Sequence, residues 1–156
     1  MSYEREKQSN NQFMKYVTLN HSGRKIIYLT AKPNSGKTST IQELRKILIS
    51  NNLPETILNP TKKNQKDFVA TYLYNGKTIG LSSVGDPSSC HQPWLNMLTN
   101  ANCDIIICAC RTSGATLNRI TSLSNYESYG FVPNHNAQAN NTHNANLLYN
   151  TMLYLL

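Results

Sequence analysis

Residues 25–50 read KIIYLTAKPNSGKTSTIQELRKILIS, and this stretch changes period part-way along. Lys25-Ile26-Ile27-Tyr28-Leu29-Thr30 is a compact apolar run without polar alternation, the pattern of a strand covered on both faces. From Thr38 onward the apolar residues fall at Ile41, Leu44, Ile47 and Leu48, three and four apart, so they line one face of a helix. Ser50-Asn51-Asn52 ends that helix. Between strand and helix lies a polar loop containing Pro33 and Gly36. Strand, short loop and amphipathic helix in that order predict an α/β unit whose helix returns across a sheet.

Working outward, residues 1–12 are polar and Asn/Gln-rich and predict a flexible arm, which leaves 13–156 as one domain. Phe13–Leu19 and residues 56–58 read as short strands. Residues 67–74 and 77–84 flank Asn75-Gly76, the dipeptide that best accepts the positive φ angles of a type I′ hairpin turn. Ser88–Asn100, with Trp94, Leu95 and Leu98, reads as a helix, and residues 104–110 form the most apolar strand. Residues 112–123 read as loop then helix, 134–146 as an Asn-rich polar stretch, and Leu147–Leu156 as a closing helix. The predicted fold is α/β in three layers, with a mostly parallel sheet and one antiparallel hairpin strand.

Composition narrows the classes. A chain of 156 residues suits a single domain, and 15 Lys+Arg against 8 Asp+Glu give a net charge of +7. Such a surface attracts phosphate-bearing ligands or nucleic acid, and solubility accounts for it equally well. Basic residues bunch only at Lys62, Lys63 and Lys66. The four cysteines, Cys90, Cys103, Cys108 and Cys110, show no CxxC spacing and read as small buried side chains rather than metal ligands. The apolar runs Ile105–Cys110 and Leu147–Leu156 fall short of the roughly 20 residues that span a bilayer. The first residues carry no apolar signal core, so the expectation is a cytoplasmic protein without membrane contact.

The string Ala31-Lys32-Pro33-Asn34-Ser35-Gly36-Lys37-Thr38 resembles the Walker A loop, GxxxxGK[ST], of the P-loop NTPase superfamily, with Ala31 at the first glycine. The resemblance implies a P-loop NTPase-like fold that takes Mg²⁺ and ATP (or GTP). It assigns phosphate binding to Lys32, Asn34, Ser35, Gly36, Lys37, Thr38 and Ser39, a catalytic charge to Lys37 and a metal ligand to Thr38. The physical basis is general. A helix N-terminus exposes unpaired N–H groups and about half a positive charge, and a glycine lets backbone approach phosphate closely.

Such a site also needs a carboxylate at the end of a neighbouring parallel strand. Glu4 and Glu6 fall in the arm, Asp67 and Asp104 begin strands rather than end them, Glu43 lies on the first helix, and Glu55 and Glu127 read as loop residues. Asp86, closing the second hairpin strand, is left as the metal-ligating and catalytic candidate; the alternative is a simple Asp-Pro turn. Arg111, just past the apolar strand, either contacts phosphate or caps the following helix.

Lys32 is similar to the additional lysine of the SIMIBI class, whose deviant Walker A loop reaches the nucleotide of a second subunit. That likeness implies a homodimer; a solvated loop lysine is the alternative. The order of elements also resembles small GTPases, but their guanine-reading NKxD is missing, which favours ATP. P-loop nucleoside and nucleotide kinases are a third comparison. No Glu follows Asp86, and His91 is the nearest alternative proton acceptor, or a surface residue. The expected function is therefore Mg²⁺-dependent nucleoside triphosphate binding with slow hydrolysis. Its rivals are a small kinase, a nucleotide sensor, or a nucleic-acid-binding module using Lys62, Lys63 and Lys66. Tyr72 and Tyr74 read as sheet packing rather than base-stacking residues.

Overall fold

The computed structural model describes residues 14–17, 23–30, 37–59, 67–84, 91–110, 115–132 and 141–156. Strands β1 (Met14–Val17), β2 (Lys25–Thr30), β3 (Glu55–Ile57), β4 (Val69–Tyr74), β5 (Lys77–Ser82), β6 (Ile105–Cys110) and β7 (Glu127–Phe131) form one sheet in the order β1-β7-β2-β6-β5-β4-β3. Helices α1 (Lys37–Ser50), α2 (His91–Asn100), α3 (Ala115–Thr121) and α4 (Asn141–Leu155) complete the described elements.

The centre of the sheet is parallel. β2 pairs with β6 from Lys25↔Ile105 to Thr30↔Cys110, with β7 on its other side from Lys25↔Glu127 to Leu29↔Phe131, and β6 pairs with β5 from Ile79↔Ile105 to Ser82↔Cys108. These strands are apolar along their length because both faces are covered. Ile27, Leu29, Ile107 and Phe131 pack under Ile41, Leu44 and Leu48 of α1 and Leu148 and Met152 of α4. Ile26, Tyr28, Ile106 and Cys108 pack on the opposite face with Trp94, Leu95 and Leu98 of α2 and Ile120 of α3. The α/β reading and its three layers hold.

The hairpin forms where Asn75-Gly76 predicts it: φ is 48° at Asn75 and 78° at Gly76, and Val69↔Ser82 to Tyr74↔Lys77 pair across it. The sheet is more mixed than one antiparallel strand would make it. β3 also runs antiparallel to β4, and β1 antiparallel to β7, so both edges of the parallel core carry antiparallel additions. Both segments read as short strands in the sequence, but an edge strand needs no helical crossover, so nothing local signals its direction.

Two loop assignments are corrected. Glu55 opens β3 and Glu127 opens β7. Likewise α4 starts at Asn141, inside the stretch read as polar coil, and buries Asn144 and Ala145 before the apolar run begins. Asparagine also does work usually left to glycine. Asn52 (φ 62°) and Asn102 (φ 56°) terminate α1 and α2 in the left-handed region. In each case the N–H groups of that residue and the next turn back to close the helix, Asn52 to Ile49 O and Leu53 to Leu48 O in α1, and Asn102 to Thr99 O and Cys103 to Leu98 O in α2. Among the described residues no helix is long and apolar enough to cross a membrane.

Candidate functional site

In a parallel sheet with helices on both faces, ligand chemistry concentrates at the carboxyl ends of the strands, where helix N-termini point their unpaired N–H groups. Here that edge receives the end of β6, the residues just past β5 and the first turn of α1. Lys37, the first residue of α1, is buried, and its Nζ donates to the carbonyl of Cys110, the last residue of β6, at 3.0 Å. Thr38 turns toward the next strand, and its Oγ1 donates to the carbonyl of Ser83 at 3.1 Å. The helix that follows β2 thus leans over β6 and touches the end of β5.

This corrects one premise of the sequence reading. β5 does not neighbour β2; β6 lies between them. A residue just past β5 still falls beside Thr38, because α1 crosses that intervening strand. Asp86, Lys32, Asn34, Ser35, Gly36 and Arg111 lie outside the described residues, as do Lys62, Lys63 and Lys66. Lys37, Thr38 and Ser39 are described, and all three sit in the first turn of α1 at the sheet's carboxyl edge.

The antiparallel hairpin adds a carboxylate that elimination removed. Asp67 precedes β4, but β4 runs opposite to β5, so the beginning of β4 and the end of β5 share one edge. Ser83 joins them. Its N–H donates to Phe68 O at 3.0 Å, and its Oγ accepts from Phe68 N at 2.9 Å and donates to Asp67 Oδ1 at 3.1 Å. The signal that could have found Asp67 was the Asn75-Gly76 turn itself, which fixes the direction of β4.

Lys37 and the end of β6 are buried. Burial pushes the Cys110 thiol up to about 12, against the opposing pull of the Lys37 ammonium, and burial also raises Cys108. These thiols are therefore protonated, apolar neighbours of Lys37 rather than ligands. Among the described residues no three His, Cys, Asp or Glu side chains gather into a metal cage. Among the described residues, the oxygen groups held at Ser83 are the Thr38 hydroxyl and the Asp67 carboxylate. That chemistry suits Mg²⁺, which keeps several waters and takes one or two protein oxygens together with phosphate.

On the opposite edge of the sheet, a cavity of about 330 Å³ is lined by Arg24, Thr99, Asn102, Ser124 and Tyr126. It shares no residue with the Lys37–Thr38 edge. Comparison with protein-family models, curated proteins and solved structures gives no match.

Proposed function

We propose that the chain binds a nucleoside triphosphate, ATP in preference to GTP, with Mg²⁺, and hydrolyses it slowly. The observation that carries this reading is the placement of Lys37 and Thr38. They open a 14-residue helix directly after the central strand and its Gly36-containing loop, with both side chains directed at the carboxyl edge of β6 and β5.

Each group has a physical task. The buried Lys37 ammonium would supply a compact positive charge to the β and γ phosphates, and the α1 N-terminus adds its partial positive charge. Lys32, Asn34, Ser35, Gly36 and Ser39 supply the rest of the loop, and Arg111 is the residue that follows β6 in the sequence. Thr38 and Asp86 are the protein oxygens for Mg²⁺, which when bound offsets phosphate charge. Phosphoryl transfer is largely positioning and charge stabilisation, which this set supplies. No Glu directly follows Asp86 in the sequence to activate water, so slow turnover is expected.

The test is calorimetric titration of ATP and GTP, with and without Mg²⁺, into wild type and Lys37→Ala, with phosphate release followed in parallel. Micromolar ATP binding that disappears in the variant supports the reading. Wild type that is folded and binds neither nucleotide overturns it. Binding without phosphate release removes the hydrolase and leaves a sensor or a kinase lacking its acceptor.

A further inference from the structure

Ser83 is fully buried, and its hydrogen bonds leave little freedom. A serine hydroxyl has one proton to give. Because Ser83 Oγ already accepts from Phe68 N at 2.9 Å, that proton goes to Asp67 Oδ1 at 3.1 Å; the other acceptor, Phe68 O, is farther at 3.5 Å. The carbonyl of the same serine holds the Thr38 hydroxyl at 3.1 Å. One residue at the end of β5 therefore orients both a carboxylate and the hydroxyl that opens α1. Asp67 itself is only half-buried, and among the described residues its Oδ2 takes no hydrogen bond.

We infer that Asp67 is a positioning residue for the metal, accepting hydrogen bonds from water held by the Mg²⁺ that Thr38 ligates. The inference rests on the nucleotide reading above. A hydrated Mg²⁺ presents donors only, and an oriented carboxylate with an unused oxygen is their natural acceptor. Outer groups of this kind usually change metal affinity about 10–100-fold when removed. Asp67 acts through the water and through the Ser83 bridge that fixes Thr38.

The experiment measures ATP affinity by calorimetry in Mg²⁺ and in EDTA, for wild type and Asp67→Asn. The expected result is an unchanged affinity in EDTA and a loss of about tenfold in the variant's gain from Mg²⁺. A purely structural Asp67 would lower the melting temperature and leave the Mg²⁺ gain intact, which overturns the inference while the nucleotide reading stands. Wild type that fails to bind ATP overturns both. A second measurement needs no variant: wild type with ATP and Fe²⁺ in place of Mg²⁺ is exposed to ascorbate and peroxide, so that radicals cut the backbone near the metal. Cuts near both Thr38 and Asp67 support the inference, and cuts near Thr38 without any near Asp67 overturn it.

Discussion

Lys37 Nζ lies 3.0 Å from the carbonyl oxygen of Cys110, so the first residue of α1 is tied to the last residue of β6. A neutral carbonyl is a modest acceptor for an ammonium, and phosphate is a stronger one. The bond therefore holds Lys37 at the sheet edge, and under the proposed function phosphate would displace the carbonyl.

Replacing Lys37 by Met tests whether the ammonium serves binding or folding. Met keeps most of the length and avoids desolvating a charge, while its loss of the Cys110 contact costs about 1 kcal/mol. The expected outcome is a melting temperature within about 3 °C of wild type and an ATP affinity lowered by more than about tenfold, or about 1.4 kcal/mol. Calorimetry and thermal melts on the same sample check it. A variant that binds ATP as well as wild type removes Lys37 from the site.

Much of the fold is legible where a single segment's pattern settles its burial. Ile26–Leu29 and Ile105–Cys110 are apolar throughout because helices cover both faces, and the Asn75-Gly76 dipeptide states its own turn. β7 is different. Glu127-Ser128-Tyr129-Gly130-Phe131 has neither alternation nor an apolar run, and its burial depends on partners elsewhere: Tyr129 donates to the buried Glu127, and Gly130 lies against the ring of Tyr28, where a Cβ would come within 3.2 Å of Tyr28 Cζ. Propensity cannot anticipate contacts supplied by tertiary structure. The candidate site divides similarly. Lys37 and Thr38 follow from a local string, whereas Asp67 emerges only when the direction of β4 is combined with the position of α1.

The Arg45–Glu55–Tyr72 cluster gives a pH prediction. Arg45 Nε and Nη2 donate to Glu55 at 2.7 and 2.9 Å, Tyr72 Oη donates at 2.6 Å, and the guanidinium stands 5.0 Å from the Phe68 ring centroid. The Arg45 hydrogen bonds hold the Glu55 carboxyl below its ordinary 4.5, against the opposing effect of burial. A depressed folded value means that the stabilisation is complete above the unfolded value and disappears as pH falls through the folded one. Glu55→Gln should thus cost about 1 kcal/mol at pH 7, a modest figure because Arg45 is partly solvated, and should match wild type in strong acid. Urea midpoints from pH 7 down to pH 2 check this; a constant gap across that range sinks it.

Thiol chemistry reads the integrity of the core. Cys103, Cys108 and Cys110 are free and buried, and burial pushes Cys103 and Cys110 up to about 12. At pH 8 roughly one such thiol in 10⁴ is ionised, even before access is considered. Native protein treated with iodoacetamide should therefore leave these three unmodified, and denatured protein should lose all three, as peptide mass spectrometry would resolve. Rapid labelling of Cys110 in the native state would mean that the end of β6 opens readily.

Gly80 faces the end of α2 without room for a side chain. A Cβ built there would lie 2.8 Å from Cys103 Sγ and 2.9 Å from Leu98 Cδ2, and both residues are fully buried. The contacts are with side-chain ends, but both side chains sit in a close-packed core, so Gly80→Ala makes Leu98 or Cys103 shift. Overpacking of this sort costs about 1–3 kcal/mol, or roughly 3–10 °C in melting temperature for a chain of this size. The same argument fixes the sign of a coupling. Leu98→Ala alone opens a cavity at about 2–5 kcal/mol, but in the Gly80→Ala background it also relieves the clash, so its cost there should fall by about 0.5–3 kcal/mol. Urea denaturation of the two single variants and the double variant measures this directly. Strict additivity would mean that α2 moves away from β5 freely, and that the close approach at Gly80 does not hold the helix in place.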